Sequence, residues 1–126
     1  MSIRLELFAK DVPTSVAFYR DILGFTPGKG WGEYVPVTSG IVTLGIGPAS
    51  GLSEQHYFRP EVTAERAGLG VEIVLEVDDV HALYEKVQAS GYPIETPLKE
   101  RPWKLTDFRV ADPDGYFLRI TSRKSS

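Results

Sequence analysis

Few residues in this 126-residue chain are equipped for chemistry. There is no cysteine, so disulfides, thiolate zinc sites, iron–sulfur clusters and a cysteine nucleophile are excluded. The two histidines, His56 and His81, pair with no Gly-x-Ser-x-Gly elbow, so no nucleophilic triad is visible. The run Gly28-Lys-Gly-Trp-Gly32 lacks the strand-to-helix context of a phosphate-binding loop. Charged residues in two alternating segments remain. Arg4 and Glu6 oppose Ile3, Leu5, Leu7 and Ala9. Glu72 and Glu76 oppose Val71, Ile73, Leu75 and Val77. Charges on a half-buried strand are costly unless paired or used, so these residues are candidates for acid–base work or for binding an ion. A second set is aromatic: Trp31, Tyr34, Tyr57, Phe58 and Trp103. Singly, each reads first as core or interface packing; together they would wall a site for a planar, amphipathic ligand.

The elements that must position these residues repeat. Residues 3–9 alternate as a strand. Asp11-Val-Pro13 then starts a helix, with Val16, Tyr19, Ile22 and Leu23 on its apolar stripe and Gly24 as its stop. Residues 71–77 form the next such strand, and Asp78-Asp79 start a helix with Val80, Leu83, Tyr84 and Val87 on one stripe and Gly91 at its end. Asp11 and Asp79 are 68 residues apart, and Gly24 and Gly91 are 67 apart, so the chain is a tandem repeat. Strand signals follow each helix: 25–30, 33–38 and 41–46 in the first half, and 92–96, 104–110 and 116–121 in the second. Asp112-Pro-Asp-Gly115 makes the last turn. The expected division is module one at about 1–46, a connection at 47–69 and module two at about 70–122.

Composition fits one globular domain, at 42% hydrophobic and 25% charged residues. The net charge of -3 and the lack of a basic stripe argue against nucleic acid as a partner. Residues 35–53 carry no charge, but two prolines and four glycines within them read as strands and turns, so no membrane association is expected. Charges at positions 4 and 6 interrupt any signal-peptide core. A cytoplasmic protein is expected.

The segment Asp11-Val-Pro-Thr-Ser-Val-Ala-Phe-Tyr-Arg-Asp-Ile-Leu-Gly-Phe25 resembles the first-module signature of the glyoxalase / bleomycin resistance / extradiol dioxygenase superfamily, also called vicinal oxygen chelate. Val77-Asp-Asp-Val80, with its helix, resembles the second module, and Phe108-Arg-Val-Ala-Asp-Pro-Asp-Gly115 the terminal hairpin. The resemblance implies an α+β fold of two tandem βαβββ modules, whose curved mixed sheets form a ligand cleft with helices on the outer face. It also implies a homodimer.

Enzymes of that superfamily hold a divalent metal with four side chains, mostly His, Glu or Gln. The matching positions here are Arg4, one of Thr43, Leu44 or Gly45, then Glu72 and Arg119. Of these only Glu72 is such a ligand, because a guanidinium has no lone pair to give and stays charged. No metal cofactor is therefore expected. If the positions converge as the resemblance implies, Arg4, Glu72 and Arg119 meet, with Glu6 and Glu76 beside them. Two readings stay open: a salt-bridge network in place of the metal, or a cationic spot for a carboxylate or phosphate. The ligand-binding candidates are Arg4, Glu6, Glu72, Arg119, Trp31, Tyr34 and Trp103, with Glu72 and Glu6 as candidate catalytic carboxylates. His56-Tyr-Phe58 would cover the cleft as a lid or merely cross it. Relatives without metal carry Pro-Trp-Gly before the terminal hairpin, whereas here Pro102-Trp103 is followed by Lys104. The expected function is metal-independent binding of a small organic molecule, of the sequestration or resistance type. The alternative is a lyase, isomerase or dioxygenase using a metal or a cleft carboxylate.

Overall fold

The computed structural model describes residues 1–59 and 67–123. Its order is β1 (Leu5–Ala9), α1 (Val12–Ala17), β2 (Thr26–Pro27), β3 (Val35–Ser39), β4 (Val42–Pro48), β5 (Glu72–Val77), α2 (Val80–Ser90), β6 (Thr96–Glu100), β7 (Thr106–Ala111) and β8 (Phe117–Ser122). The chain divides into Met1–Ala67 and Gly68–Ser126. Among the described residues each unit holds one helix and a four-stranded mixed sheet, ordered β1-β4-β3-β2 and β5-β8-β7-β6. These are the two expected βαβββ modules. In each, the first strand pairs in parallel with the last, and the remaining pairs are antiparallel.

Aspartates start both helices. The Asp11 carboxylate accepts from the Thr14 N–H at 3.3 Å, and that of Asp79 from the Ala82 N–H at 3.0 Å. Gly24 and Gly91 follow at φ 80° and 78°, where a side chain would be strained. Alternation settles which strand face meets the helix. Leu7, Val37, Leu44 and Ile46 are buried in module one, where α1 packs on β3 and β4. Ile73, Leu75, Phe108, Val110, Leu118 and Ile120 are buried in module two, where α2 packs on β7 and β8 and Tyr84 meets Phe108 edge to face.

Three details depart from the sequence reading. After Ala17 the first helix widens into a π-helical turn over Phe18–Ile22, with the Leu23 N–H donating to the Phe18 carbonyl. Phe18 and Tyr19 are both buried in this wider turn and meet edge to face. Strand β6 lies at Thr96–Glu100, not at 92–96. Tyr92 still donates its N–H to Ser90 at the helix end, and Pro93 has none to give. Ladder bonding to β7 starts when the Glu95 N–H donates to the Arg109 carbonyl, and a register shift between Thr96 and Lys99 spans Pro97. Strand β4 runs on to Pro48, into the expected connection, because β1 pairs with it as far as Ala9↔Pro48. A short 3-10 turn at Ala49–Gly51 follows. The rest of that connection at 60–66 lies outside the described residues.

Candidate functional site

Opposite its helix, each sheet has a second face, and the charged side chains stand there. In module one, register places Glu6 beside Gly45 and Pro36 beside Gly45. Arg4 Nε lies 2.6 Å from Glu6 Oε1, and the Tyr34 hydroxyl donates to the same carboxylate oxygen at 3.1 Å. Burial, and then the bond to Glu6, hold the Tyr34 phenol above its ordinary pKa. Gly45 makes room for this cluster: a Cβ there would overlap the Tyr34 hydroxyl and the Glu6 carboxylate. A two-residue turn positions Tyr34, with its N–H donating to the Trp31 carbonyl at 3.0 Å and the Trp31 N–H returning to Tyr34 at 3.2 Å. Gly32 supplies the positive φ that this turn needs.

Phe8 is on the same face of β1 as Glu6. The rings of His56 and Phe58 both lie 5.6 Å from it, so this part of the connection rests on the helix-free face of module one. His56 Nδ1 accepts from the Phe58 N–H at 3.0 Å, which ties the two rings into one turn.

Module two presents a grid. Across β5, β8 and β7 the rungs on the helix-free face are Glu72–Phe117–Ala111, Val74–Arg119–Arg109 and Glu76–Thr121–Asp107. Arg109 Nε donates to Glu72 Oε2 at 3.1 Å, and Arg119 Nε lies 3.2 Å from Glu72 Oε1. Glu72 thus meets one guanidinium on each oxygen. The side chains are 33%, 21% and 27% exposed for Glu72, Arg109 and Arg119, so water screens them only in part. On the third rung Arg101 Nε lies 2.9 Å from Asp107 Oδ1, and the Asp107 side chain is only 1% exposed.

Each module gathers sequence candidates of its own. Arg4, Glu6 and Tyr34 come together, and so do Glu72 and Arg119. Trp31 is 89% exposed and Trp103 is 54% exposed. Arg109 and the Arg101–Asp107 pair escaped the sequence reading. A signal for Arg109 existed: a hairpin turning on Asp112–Gly115 sets residue 109 opposite residue 119.

The donors do not suit a metal ion. Leu44 is fully buried on the helix side, leaving Thr43 and Gly45 for that position, and neither offers a carboxylate or imidazole. Arg4 and Arg119 offer cations, and Glu72 is already engaged by two guanidiniums. Among the described residues no three His, Asp or Glu side chains are placed to share an ion. The arrangement is suited to holding a ligand by ion pairs and ring contacts, and no chemical step through a metal follows from it.

The sequence model of the Glyoxalase/Bleomycin resistance protein/Dioxygenase superfamily matches residues 3–120. No curated protein matches the chain. Among solved structures, TioX from Micromonospora sp. ML1 is 20% identical with a TM-score of 0.76, covering 98% of this chain and 99% of that one. A glyoxalase/bleomycin resistance protein/dioxygenase from Nocardioides is 23% identical with a TM-score of 0.77, covering 97% and 82%. Lactoylglutathione lyase from Agrobacterium tumefaciens is 18% identical with a TM-score of 0.72, covering 97% and 92%. At these identities the likeness is one of fold.

Proposed function

Since this chain belongs to the glyoxalase/bleomycin resistance protein/dioxygenase superfamily, we propose that it binds a small organic molecule on the helix-free faces of its sheets without a metal. Its role would be sequestration or resistance. One observation carries the reading: Arg109 and Arg119 grip Glu72, the one metal-type ligand among the superfamily's positions. A divalent cation brought there would face two positive charges and compete with both for one carboxylate. The aromatic turn at His56–Phe58, resting on Phe8, adds apolar surface beside the Arg4–Glu6–Tyr34 cluster. Such a pairing of apolar wall and few polar groups is the usual make-up of a small-molecule site.

The proposal includes a homodimer and a cytoplasmic location. The lack of cysteine fits a reducing compartment, and light scattering on the purified protein tests the dimer. Elemental analysis tests the central claim, on protein purified without chelator and without a metal-binding tag. Substoichiometric metal is expected. One equivalent of iron, manganese, nickel, cobalt or zinc per chain would overturn the reading and favour a metal-dependent lyase or dioxygenase.

A further inference from the structure

We infer that the helix-free face of module two is an organic-anion subsite, with Arg109 and Arg119 as the groups that take a ligand carboxylate. The inference rests on the small-molecule reading above and gives it a ligand class. Charge balance is the first argument. Arg4 pairs with Glu6, and Arg101 with Asp107, so each of those sets is neutral. The directly paired Glu72 set is not, because two guanidiniums share one carboxylate, and Glu76, one rung along the same face, makes no ion pair with either arginine. Its side chains are two-thirds or more shielded from water, so the surplus positive charge is partly desolvated and attracts an anion more strongly than a surface arginine does.

Geometry is the second argument. Both arginines turn the Nε edge toward Glu72, Arg109 through a hydrogen bond and Arg119 as an ion-pair contact, which sets the two guanidiniums side by side on neighbouring strands. Among the described residues their terminal nitrogens have no hydrogen-bond partner, and the buried Arg119 Nε lacks good hydrogen-bond geometry even toward Glu72. Terminal guanidinium nitrogens match the two oxygens of a carboxylate. Glu72 is a positioning residue here, since it holds the fork and leaves the outer donors for the ligand. Asp107 does not compete, because Arg101 engages it.

The neighbours supply the rest of the ligand. Val74, directly across from Arg119, is 42% exposed, and half-buried Phe117 lies two residues before Arg119 on the same face. An apolar body carrying a carboxylate would place its acid on the arginines and its ring on Phe117 and Val74.

The probes are 2-naphthoate and its neutral near-isostere 2-naphthamide, read by thermal shift and calorimetry on the full chain. Naphthoate is expected to raise the melting temperature and to bind at least about tenfold tighter than the amide. Arg109→Gln and Arg119→Gln are each expected to weaken naphthoate by about 10- to 100-fold, the range for a charge-assisted hydrogen bond, and to leave the amide unchanged. Equal binding of acid and amide overturns the anion preference but leaves small-molecule binding in place. No binding of either overturns both. Unchanged naphthoate affinity in both variants also overturns the subsite. If a variant fails to fold, the Nε–Hε resonances of wild-type Arg109 and Arg119 carry the test. They are expected to shift with naphthoate and not with the amide, and fixed resonances overturn the assignment.

Discussion

Arg101 and Asp107 form a tight ion pair whose energetics can be isolated. The Asp107 side chain is 1% exposed and Arg101 is 15% exposed, with Nε 2.9 Å from Oδ1. Asp107 Oδ2 and Arg101 Nη2 are buried without a hydrogen-bond partner, so each group depends on the one bond they share. Arg101→Met keeps most of the aliphatic stem and removes the cation, leaving a buried carboxylate alone. Breaking such a pair from one side costs about 3–5 kcal/mol. Asp107→Asn should cost less, about 1–2 kcal/mol, because Arg101 is the more exposed partner and its head can turn to water. The double variant removes both charges. It should be more stable than Arg101→Met alone by about 2 kcal/mol, since it abolishes the orphaned carboxylate. Urea unfolding followed by circular dichroism reads this out. At a slope of about 1.5 kcal/mol/M, a loss of 3 kcal/mol lowers the midpoint by about 2 M. An Arg101→Met cost below about 1 kcal/mol, or single costs that simply add in the double variant, would refute the reasoning.

Lys104 has φ 72°, where glycine is favoured. Lys104→Gly should exceed Lys104→Ala in stability by about 1 kcal/mol, because alanine keeps the backbone strain; equal melting temperatures would show that no strain is stored. The Tyr92 phenol, half-buried and donating to the Ala111 carbonyl at 2.6 Å, is pushed up to about 12, first by burial and then by Asp112, Asp114 and Glu95. Its folded value is raised, so its stabilisation is whole below about pH 10 and is lost as the pH rises toward 12, an effect of about 1 kcal/mol once solvent screening is discounted. An ultraviolet titration of wild type minus Tyr92→Phe should show a phenol with a midpoint near 12; a midpoint at the ordinary value of about 10 sinks this account. Gly45→Ala should expel the Tyr34 hydroxyl from Glu6 and cost about 1 kcal/mol for the lost bond. Its Tyr34 phenol should then titrate nearer the ordinary value, and an unmoved titration would mean that the two side chains do not share this space.

Much of the fold was legible because local chemistry agreed with it. Asp11 and Asp79 satisfy the first N–H groups of their helices, and Gly24 and Gly91 alone tolerate the left-handed stop, so the repeat could be read by spacing. The misplacement of β6 arose because Tyr92, Ile94 and Thr96 have strand-like composition, yet Tyr92 remains tied to the helix end and Pro93 has no N–H for a ladder. The π-helical turn had no local signal, since the apolar spacing of Val16, Tyr19, Ile22 and Leu23 suits a regular α-helix equally well. At position 104 the sequence showed a lysine where metal-free relatives carry glycine, and the backbone supplies the reason in a positive φ.

Strand parity determined the sites only in part. Alternation alone put Glu6 and Glu72 on the faces away from the helices, because a two-residue period leaves a side chain no other choice. The superfamily resemblance implied, in addition, that Arg4 and Arg119 stand where metal ligands would be needed, since residue type is a property of the sequence. Which charges pair was decided by tertiary structure. Arg109 and Glu72 are 37 positions apart and meet only because β8 lies between β5 and β7. Arg4 pairs two residues away with Glu6, which Tyr34 reaches from 28 positions on. Ion pairs form between whichever opposite charges the strand order brings within reach, and strand order is set by burial of the apolar faces on the helices, not by the charges themselves.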